Sequence, residues 1–285
     1  MNRISKVRLA GGQRVVLRVL RIPRAPAFAR SSFLARHGVP APALLAATEG
    51  AALWEFIEGE TLGDLIETGR DTGRVWRLVG EAFRRVHAVR FPSGLAGEKL
   101  GPDRFVLTPY DPAEELHALI DEAEPGLRRL LPGHLAYLPE LHEVVRAAAP
   151  ALRSAPSTLG HGDNHMWNVL VADDRATPID WDSPRVSDPA KEIALLDKHA
   201  SLFNRAGLRP AFFDGYGSTP VEPNTSIHRV VQTLQWATSD DWTDTERDPL
   251  VTAELKARHA SWLPILLDHV RDLPRHLDRL GALVQ

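Results

Sequence analysis

The chain has 285 residues, 44% of them apolar and 25% charged, with a net charge of −3. This is an ordinary globular composition, long enough for one large domain or two modest ones. It contains no cysteine, which excludes disulfides, thiolate metal sites and a thiol nucleophile. The first dozen residues lack the apolar run of a signal peptide, and the longest apolar stretches, such as Trp262 to Leu267, are too short to span a bilayer, so a cytoplasmic protein with no membrane partner is expected.

In chain order, Ile4 to Leu9 alternates apolar and polar residues and Arg14 to Leu20 is rich in valine. With the turn Ala10-Gly11-Gly12-Gln13 between them, they predict two strands. Ala25 to His37 predicts a short helix closed by Gly38 and Pro40. Leu53 to Ile57 predicts a strand, and Glu58-Gly59-Glu60 breaks it, so a hinge is expected near Glu55 to Gly59. Beyond this point the pattern turns helical. Leu62 to Glu67 is one helix, and Val75 to Val89 carries Val75, Leu78, Val79, Ala82, Phe83 and Val86 at helical spacing. Pro92 to Pro112 reads as loop, and Pro112 to Leu131 and Glu140 to Ala149 as helices. A compact β patch follows from Thr158 to Trp181. Helices are then expected over Pro189 to Phe203, Thr225 to Ala237 and Pro249 to Leu283, the last broken at Pro274. No internal repeat occurs. The reading is a small β-rich front over residues 1–58 and a large helical part over 59–285.

Charge is segregated along the chain. From Met1 to Thr48 there is no Asp or Glu, against nine basic residues: Arg3, Lys6, Arg8, Arg14, Arg18, Arg21, Arg24, Arg30 and Arg36. The remainder holds 25 basic and 37 acidic residues. An anion at the front and a cation elsewhere would suit that split, as would a basic surface with no ligand. No RNA- or DNA-binding signature is present and the whole chain is slightly acidic, so nucleic acid is not expected as a partner. The oligomeric state has no sequence signal.

The densest polar cluster is His161-Gly162-Asp163-Asn164-His165-Met166-Trp167-Asn168. Val169 to Val171 and Thr177 to Trp181 read as the two strands of a hairpin, with the turn at Ala172 to Arg175. Its centre lies near Asp174, so Asn168 and Asp180 should meet at the open end, fed by the loop that carries Asp163. A carboxylate and an amide oxygen are hard ligands that suit Mg²⁺. Asp163 is then left to orient an attacking hydroxyl and accept its proton. Two other readings of the cluster are a tight polar turn with no chemistry and a transition-metal site built on His161, Asp163 and His165. The second would leave Asn168 and Asp180 without a task. His87, Trp167 and Trp181 read as packing residues.

The run HGD-x4-N followed by IDWD resembles the catalytic loop and metal-binding segment of the aminoglycoside phosphotransferase family. These are protein-kinase-like small-molecule kinases, to which antibiotic and choline kinases are related. GEAFRRVH (Gly80 to His87), EFIEG (Glu55 to Gly59) and Asp188-Pro189 followed by Glu192-Ile193-Ala194 add weaker matches, and the likeness covers roughly Asn2 to Phe203. The resemblance implies an α+β, bilobal protein-kinase-like fold with a reduced β-rich N-lobe and a large helical C-lobe. It also implies a phosphotransferase with an alcohol group as acceptor, using Mg²⁺ and ATP or GTP. On this basis Asp163 is the base, His161 supports the loop, and Asn168 and Asp180 hold the metal. Glu55, Phe56 and Ile57 meet the purine. Asp182 either binds metal through water or caps the following turn.

The front departs from the family. Arg18 stands where a strand lysine would bind the phosphates, as a fork rather than a point charge. The helix from Ala25 to His37 has no acid to pair with it. The first strand and its glycine-rich turn would lie before Met1, or the lobe is reduced. No G-x-G-x-x-G or P-loop motif occurs. Asp240, Asp241 and Asp244 lie in an acidic stretch read as an inter-helix loop, either a solvated surface or the receiver of a cationic acceptor. A cationic antibiotic leads as the small-molecule acceptor, ahead of choline- or sugar-like metabolites. The contrasting expectation is a catalytically impaired, nucleotide-binding kinase-like protein with a binding or regulatory role.

Overall fold

The computed structural model describes residues 3–20, 28–99, 105–218, 222–249 and 251–285. In chain order the elements are β1 (Arg3–Arg8), β2 (Arg14–Val19), α1 (Phe28–Arg36), β3 (Leu44–Ala47), β4 (Ala51–Glu55), β5 (Glu60–Thr61), α2 (Leu62–Glu67), α3 (Gly73–His87), β6 (Arg90–Phe91), β7 (Leu95–Lys99) and β8 (Phe105–Pro109). Then come α4 (Pro112–Leu130), α5 (Leu138–Ser154), β9 (Ser157–Gly160), β10 (Val169–Val171), β11 (Ala176–Pro178), β12 (Arg185–Ser187), α6 (Pro189–Asn204), α7 (Pro210–Tyr216), α8 (Asn224–Thr238), α9 (Asp241–Arg247), α10 (Ala253–Arg271) and α11 (Leu273–Val284). Arg21, Arg24 and the expected helix start at Ala25 lie outside the described residues. No described helix is long and apolar enough to cross a membrane.

The chain divides into two compact units. One comprises Met1–Pro109, Ser157–Pro189 and Leu208–Thr219, the other Tyr110–Pro156, Ala190–Gly207 and Pro220–Gln285. Contact density thus groups the front sheet with residues 161–182, whereas the division after residue 58 follows the lobes that the resemblance implies.

In the first unit an antiparallel sheet runs β1-β2-β4-β3. The β1–β2 turn closes with Leu9 N–H donating to Gln13 O at 2.9 Å, and Gly12 supplies the positive φ of 87° that the turn needs. On β2, Arg18 is paired with Ile4 on one side and Ala52 on the other. A second sheet runs β6-β9-β12-β7-β8 and a third β11-β10-β5. Helix α3 starts where the Thr72 hydroxyl accepts from Val75 N–H; of the residues its spacing picks out it buries Val79, Ala82, Phe83 and Val86 and leaves Val75 and Leu78 half-buried, and it buries Trp76 in addition. Burying each such side chain contributes about 1.5–3 kcal/mol. Helix α7 crosses α3 closely because a Cβ at Gly80 would run into Phe212 O and one at Gly215 into Arg77 O. His87 is buried there and its Nδ1 meets the Tyr216 hydroxyl at 2.9 Å, a packing role. Phe33 and Leu34 of α1 pack with Val39, Val86, Leu159 and Trp181, so α1 is pinned to the segment that follows β11.

The stretch expected as loop over Pro92 to Pro112 holds the antiparallel pair β7–β8, with Leu95 opposite Pro109; residues 100–104 lie outside the described residues. Strand β3 and helix α7 are likewise additions to the sequence reading.

The second unit is helical. Asp111 caps α4 by accepting from Ala113 N–H at 2.9 Å. Leu116, Ile120 and Leu127 of α4 are buried, as are Leu141, Val145 and Leu152 of α5, Ile227 and Val231 of α8, and Leu266 of α10. Residues Asp241–Arg247, expected as loop, form α9. Lys198 on α6 is buried, with its Nζ 4.3 Å from the centre of the Trp236 ring. Burial, with a smaller contribution from Arg229, lowers its pKa from 10.5 to about 7.

Candidate active site

Strand β9 delivers the chain to His161, and the next residue has to be glycine. Gly162 has a φ of +81°, and a Cβ there would collide with Ser183 O. His161 is 1% exposed, and its ring serves two partners. Nε2–H donates to Ile179 O at 2.8 Å, and Nδ1 accepts from Asp163 N–H at 3.3 Å. The ring also lies 4.5 Å from that of Trp181, whose indole N–H donates to Pro178 O at 2.9 Å. His161 therefore ties the loop to the strand end that precedes Asp180. With both nitrogens engaged, it is poorly set to ligate a transition metal. Among the described residues no group of three or more His, Cys, Asp or Glu side chains could hold a metal ion. Asn168 adds a different kind of donor.

The loop then closes on itself. His165 N–H donates to Asp163 O at 3.1 Å and Asn168 N–H to His165 O at 2.9 Å. The Asn168 side chain points its nitrogen at Asp163, donating to the backbone O at 2.8 Å and to Oδ2 at 3.3 Å. Its Oδ1 accepts no hydrogen bond among the described residues. The Asp163 carboxylate is 59% exposed, with His165 Nε2 4.0 Å away. Burial lowers the His165 pKa, while the charges of Asp163 and Asp180 act on it in the opposite direction.

The hairpin forms as expected but one residue out of the expected pairing. Val169 faces Pro178 and Val171 faces Ala176, so Asn168 pairs with Ile179, whose N–H donates to Asn168 O at 2.8 Å. Asp180 is the next residue and has a φ of 62°. That left-handed conformation is uncommon for a residue other than glycine, although aspartate accepts it better than most. It lets Asp182 N–H donate to Asp180 O at 2.8 Å.

Arg18 reaches this turn from β2. Its Nη1 donates to Asp180 Oδ1 at 2.7 Å and to Asp182 Oδ1 at 3.1 Å, and its Nη2 to Asp182 Oδ2 at 2.6 Å. Burial is the largest single influence on this guanidinium and lowers its pKa, but the two carboxylates together outweigh it and raise the pKa above the ordinary value. The Arg18 Nε–H is buried and has no hydrogen-bond partner among the described residues. Arg30 of α1 joins the cluster, donating through Nη1 to Trp181 O at 2.7 Å and approaching Asp182 Oδ1 at 3.4 Å. Sequence reasoning missed Arg30 and the Arg18–Asp182 pair. The available signal was the acid-free α1, which left Arg18 needing a counter-ion from elsewhere.

A cleft of about 500 Å³ is lined by Gln13 and Arg14, by Glu55 to Glu58, and by Ala172, Asp174 and Arg175. Glu55 is held by its backbone N–H donating to Ala43 O at 2.8 Å and its side chain accepting from Ala43 N–H at 3.1 Å, and it lies 3.8 Å from Arg175. Lys6 and Arg14 stand over the Phe56 ring at 4.2 and 4.8 Å, and Ile57 is buried. The structure thus brings Glu55, Phe56 and Ile57 together at one cleft. It also gathers His161, Asp163, Asn168, Asp180 and Arg18 into one hydrogen-bonded neighbourhood. Asp240, Asp241 and Asp244 belong to the second unit. Asp240 precedes α9 and pairs with Arg129 at 2.8 Å, and Asp241 and Asp244 occupy the first turn of α9.

The donor set fits a magnesium–nucleotide complex on two observations. The Asn168 Oδ1 and the Asp180 carboxylate are hard oxygen donors. The orphaned Arg18 Nε–H is a buried cationic donor suited to a phosphate oxygen.

The fold matches solved structures of small-molecule kinases. A choline/ethanolamine kinase family protein from Mesorhizobium loti superposes with a TM-score of 0.61 at 19% identity, covering 97% of this chain and 92% of that one. A thermostable mutant of the aminoglycoside phosphotransferase APH(4)-Ia, solved as a ternary complex with AMP-PNP and hygromycin B, gives 0.60 at 17% identity, covering 94% and 93%. Plasmodium vivax ethanolamine kinase gives 0.56 at 12%, covering 93% and 79%. No curated protein sequence matches the chain. These likenesses support the α+β protein-kinase-like fold, with its N-terminal sheet and large helical remainder. The profile of the phosphotransferase enzyme family matches residues 2–229, and the chain belongs to that family of kinases acting on hydroxyl groups of small molecules.

Proposed function

We propose that this chain transfers the terminal phosphoryl group of ATP or GTP to a hydroxyl of a small molecule, with Mg²⁺ held by Asn168 and Asp180. The observation that carries the reading is the Asn168 side chain. It orients Asp163 through its nitrogen, while its oxygen accepts no hydrogen bond among the described residues. A bound Mg²⁺ would supply charge neutralisation at the phosphates. Asp163, more than half exposed and fixed at its backbone by Asn168, orients the acceptor hydroxyl and takes its proton. His161 keeps the loop and the Asp180 strand end in register. Arg18 offers its fork, including the unpartnered Nε–H, to the phosphates. The cleft at Glu55, Phe56 and Ile57 takes the purine, and the division after residue 58 separates this nucleotide-binding front from the rest.

A cationic acceptor, with an antibiotic first and choline- or sugar-like alcohols next, is supported by the acidic excess beyond Thr48 and by Asp240, Asp241 and Asp244. The test is a panel of aminoglycosides, amino alcohols and sugars, read by the mass gain of one phosphoryl group and by acceptor-dependent ADP release. Transfer to an acceptor, abolished in Asp163→Ala, is the expected result. ATP binding with no transfer to any member of the panel would instead favour the impaired, regulatory reading, which the Arg18–Asp180 ion pair at 2.7 Å makes a real competitor.

A further inference from the structure

The helix that carries no acid carries a base in its place. Arg30 sits on α1, and α1 is fixed to the Asp180–Asp182 turn because Phe33 and Leu34 pack with Trp181 in one buried cluster. Asp182 therefore faces two guanidinium groups at once. It holds Arg18 through both oxygens, at 3.1 and 2.6 Å, and has Arg30 Nη1 at 3.4 Å from Oδ1. Arg30 is further fixed by the Trp181 carbonyl at 2.7 Å. Two guanidinium groups this close repel, and a carboxylate between them offsets that repulsion. An oligophosphate presents the same negative charge with more acceptor oxygens and suits two such forks. The Arg18 and Arg30 side chains are 14% and 31% exposed, so both are desolvated enough to matter and open enough to be reached.

We propose that Arg30 is a second phosphate-binding cation of the nucleotide site, and that Asp182 positions Arg18 and Arg30 for the phosphates rather than ligating the metal. This rests on the phosphotransfer reading of the site. Asp182 does from the turn after β11 what a helix acid would do if α1 had one. Arg30, coming from the helix, gives the site two forks where a single strand cation would give one.

The test is nucleotide binding by calorimetry to the full chain, with ATP and inorganic tripolyphosphate as probes, in EDTA and again with Mg²⁺. Arg30→Met should weaken both probes about tenfold in EDTA, since a charge-assisted hydrogen bond is lost. Asp182→Asn should do the same and raise KM for ATP more than it lowers kcat, while leaving the Mg²⁺ concentration for half-maximal activity unchanged. Asp182→Glu should recover most of the loss, and thermal melts identify any variant that fails to fold. Arg30 is on the surface side of the cluster, so its variant remains informative if Asp182→Asn unfolds. Unchanged affinity in EDTA for both Arg30→Met and Asp182→Asn overturns the proposal, as does a shifted Mg²⁺ requirement with unshifted ATP affinity. A wild-type chain that binds neither probe under either condition overturns the phosphotransfer reading itself, and this proposal with it.

Discussion

Replacing Arg18 with methionine should move two affinities in opposite directions. Arg18 donates to Asp180 at 2.7 Å and to Asp182 at 3.1 and 2.6 Å, so it occupies the carboxylate that the magnesium reading needs. A hydrogen bond to a charged group is worth about 1.5–3 kcal/mol net. Asp180 is 40% exposed, which places its bond at the low end of that range. Arg18→Met removes a competitor of roughly that strength, and a divalent ion added alone should bind about tenfold tighter. The same change removes a cationic fork whose Nε–H is buried without a partner, and ATP should bind at least about tenfold more weakly. Asp180 and Asp182 would both lose their bonds to this guanidinium, so stability should drop by about 1–3 kcal/mol. The assay is a Mn²⁺ titration by electron paramagnetic resonance without nucleotide, paired with ATP calorimetry without metal. Divalent and ATP affinities that fall together, or that both stay fixed, would refute Arg18 as both a phosphate donor and a competitor for Asp180.

Two further outcomes follow from the packing. Gly162→Ala places a methyl group against Ser183 O at a φ of +81°. It should cost about 2 kcal/mol or more in chemical denaturation, and an unchanged midpoint would contradict the loop geometry. Lys198 has its pKa lowered by burial from 10.5 to about 7, so the unfolded chain binds the extra proton between about pH 7 and pH 10, and stability rises with pH across that window. Lys198→Met should abolish that rise and stabilise the chain by about 2–4 kcal/mol near pH 7, by denaturant unfolding at about pH 7 and pH 9.5. Parallel pH profiles for the two proteins would contradict it.

Local pattern carried much of this structure. Apolar residues at helical spacing from Val75 to Val86 gave α3, and two short apolar runs around Asp173-Asp174 gave the β10–β11 hairpin. The pairing came out one residue displaced, because the turn closes with Ala172 N–H on Arg175 O and centres the hairpin between Asp173 and Asp174 rather than on Asp174. Strands β7 and β8 were illegible because β7 contains Gly97 and both sit in a stretch rich in Pro and Gly; Gly97 is there because a Cβ would strike Val106 O across the pair. Helix α7 had its signals, Pro210 at the start and Gly217 in the left-handed cap, but it is too short to show a period. Helix α9 was hidden by its acidity. At the site, the loop was legible because its residues are neighbours in sequence. The Arg18–Asp182 pair joins residues separated by 164 positions, and no local pattern encodes it.

The most direct measurement compares wild type with Asp163→Asn for ATP binding and for phosphoryl transfer to an acceptor identified from the panel. Asn168 Nδ2 bonds the Asp163 backbone O at 2.8 Å, a contact that the substitution leaves in place, so the loop should hold. Phosphoryl transfer by Asp163 as base predicts an ATP affinity within about twofold of wild type and a kcat lower by about 10²- to 10⁴-fold. A kcat near that of wild type would contradict the assignment of Asp163.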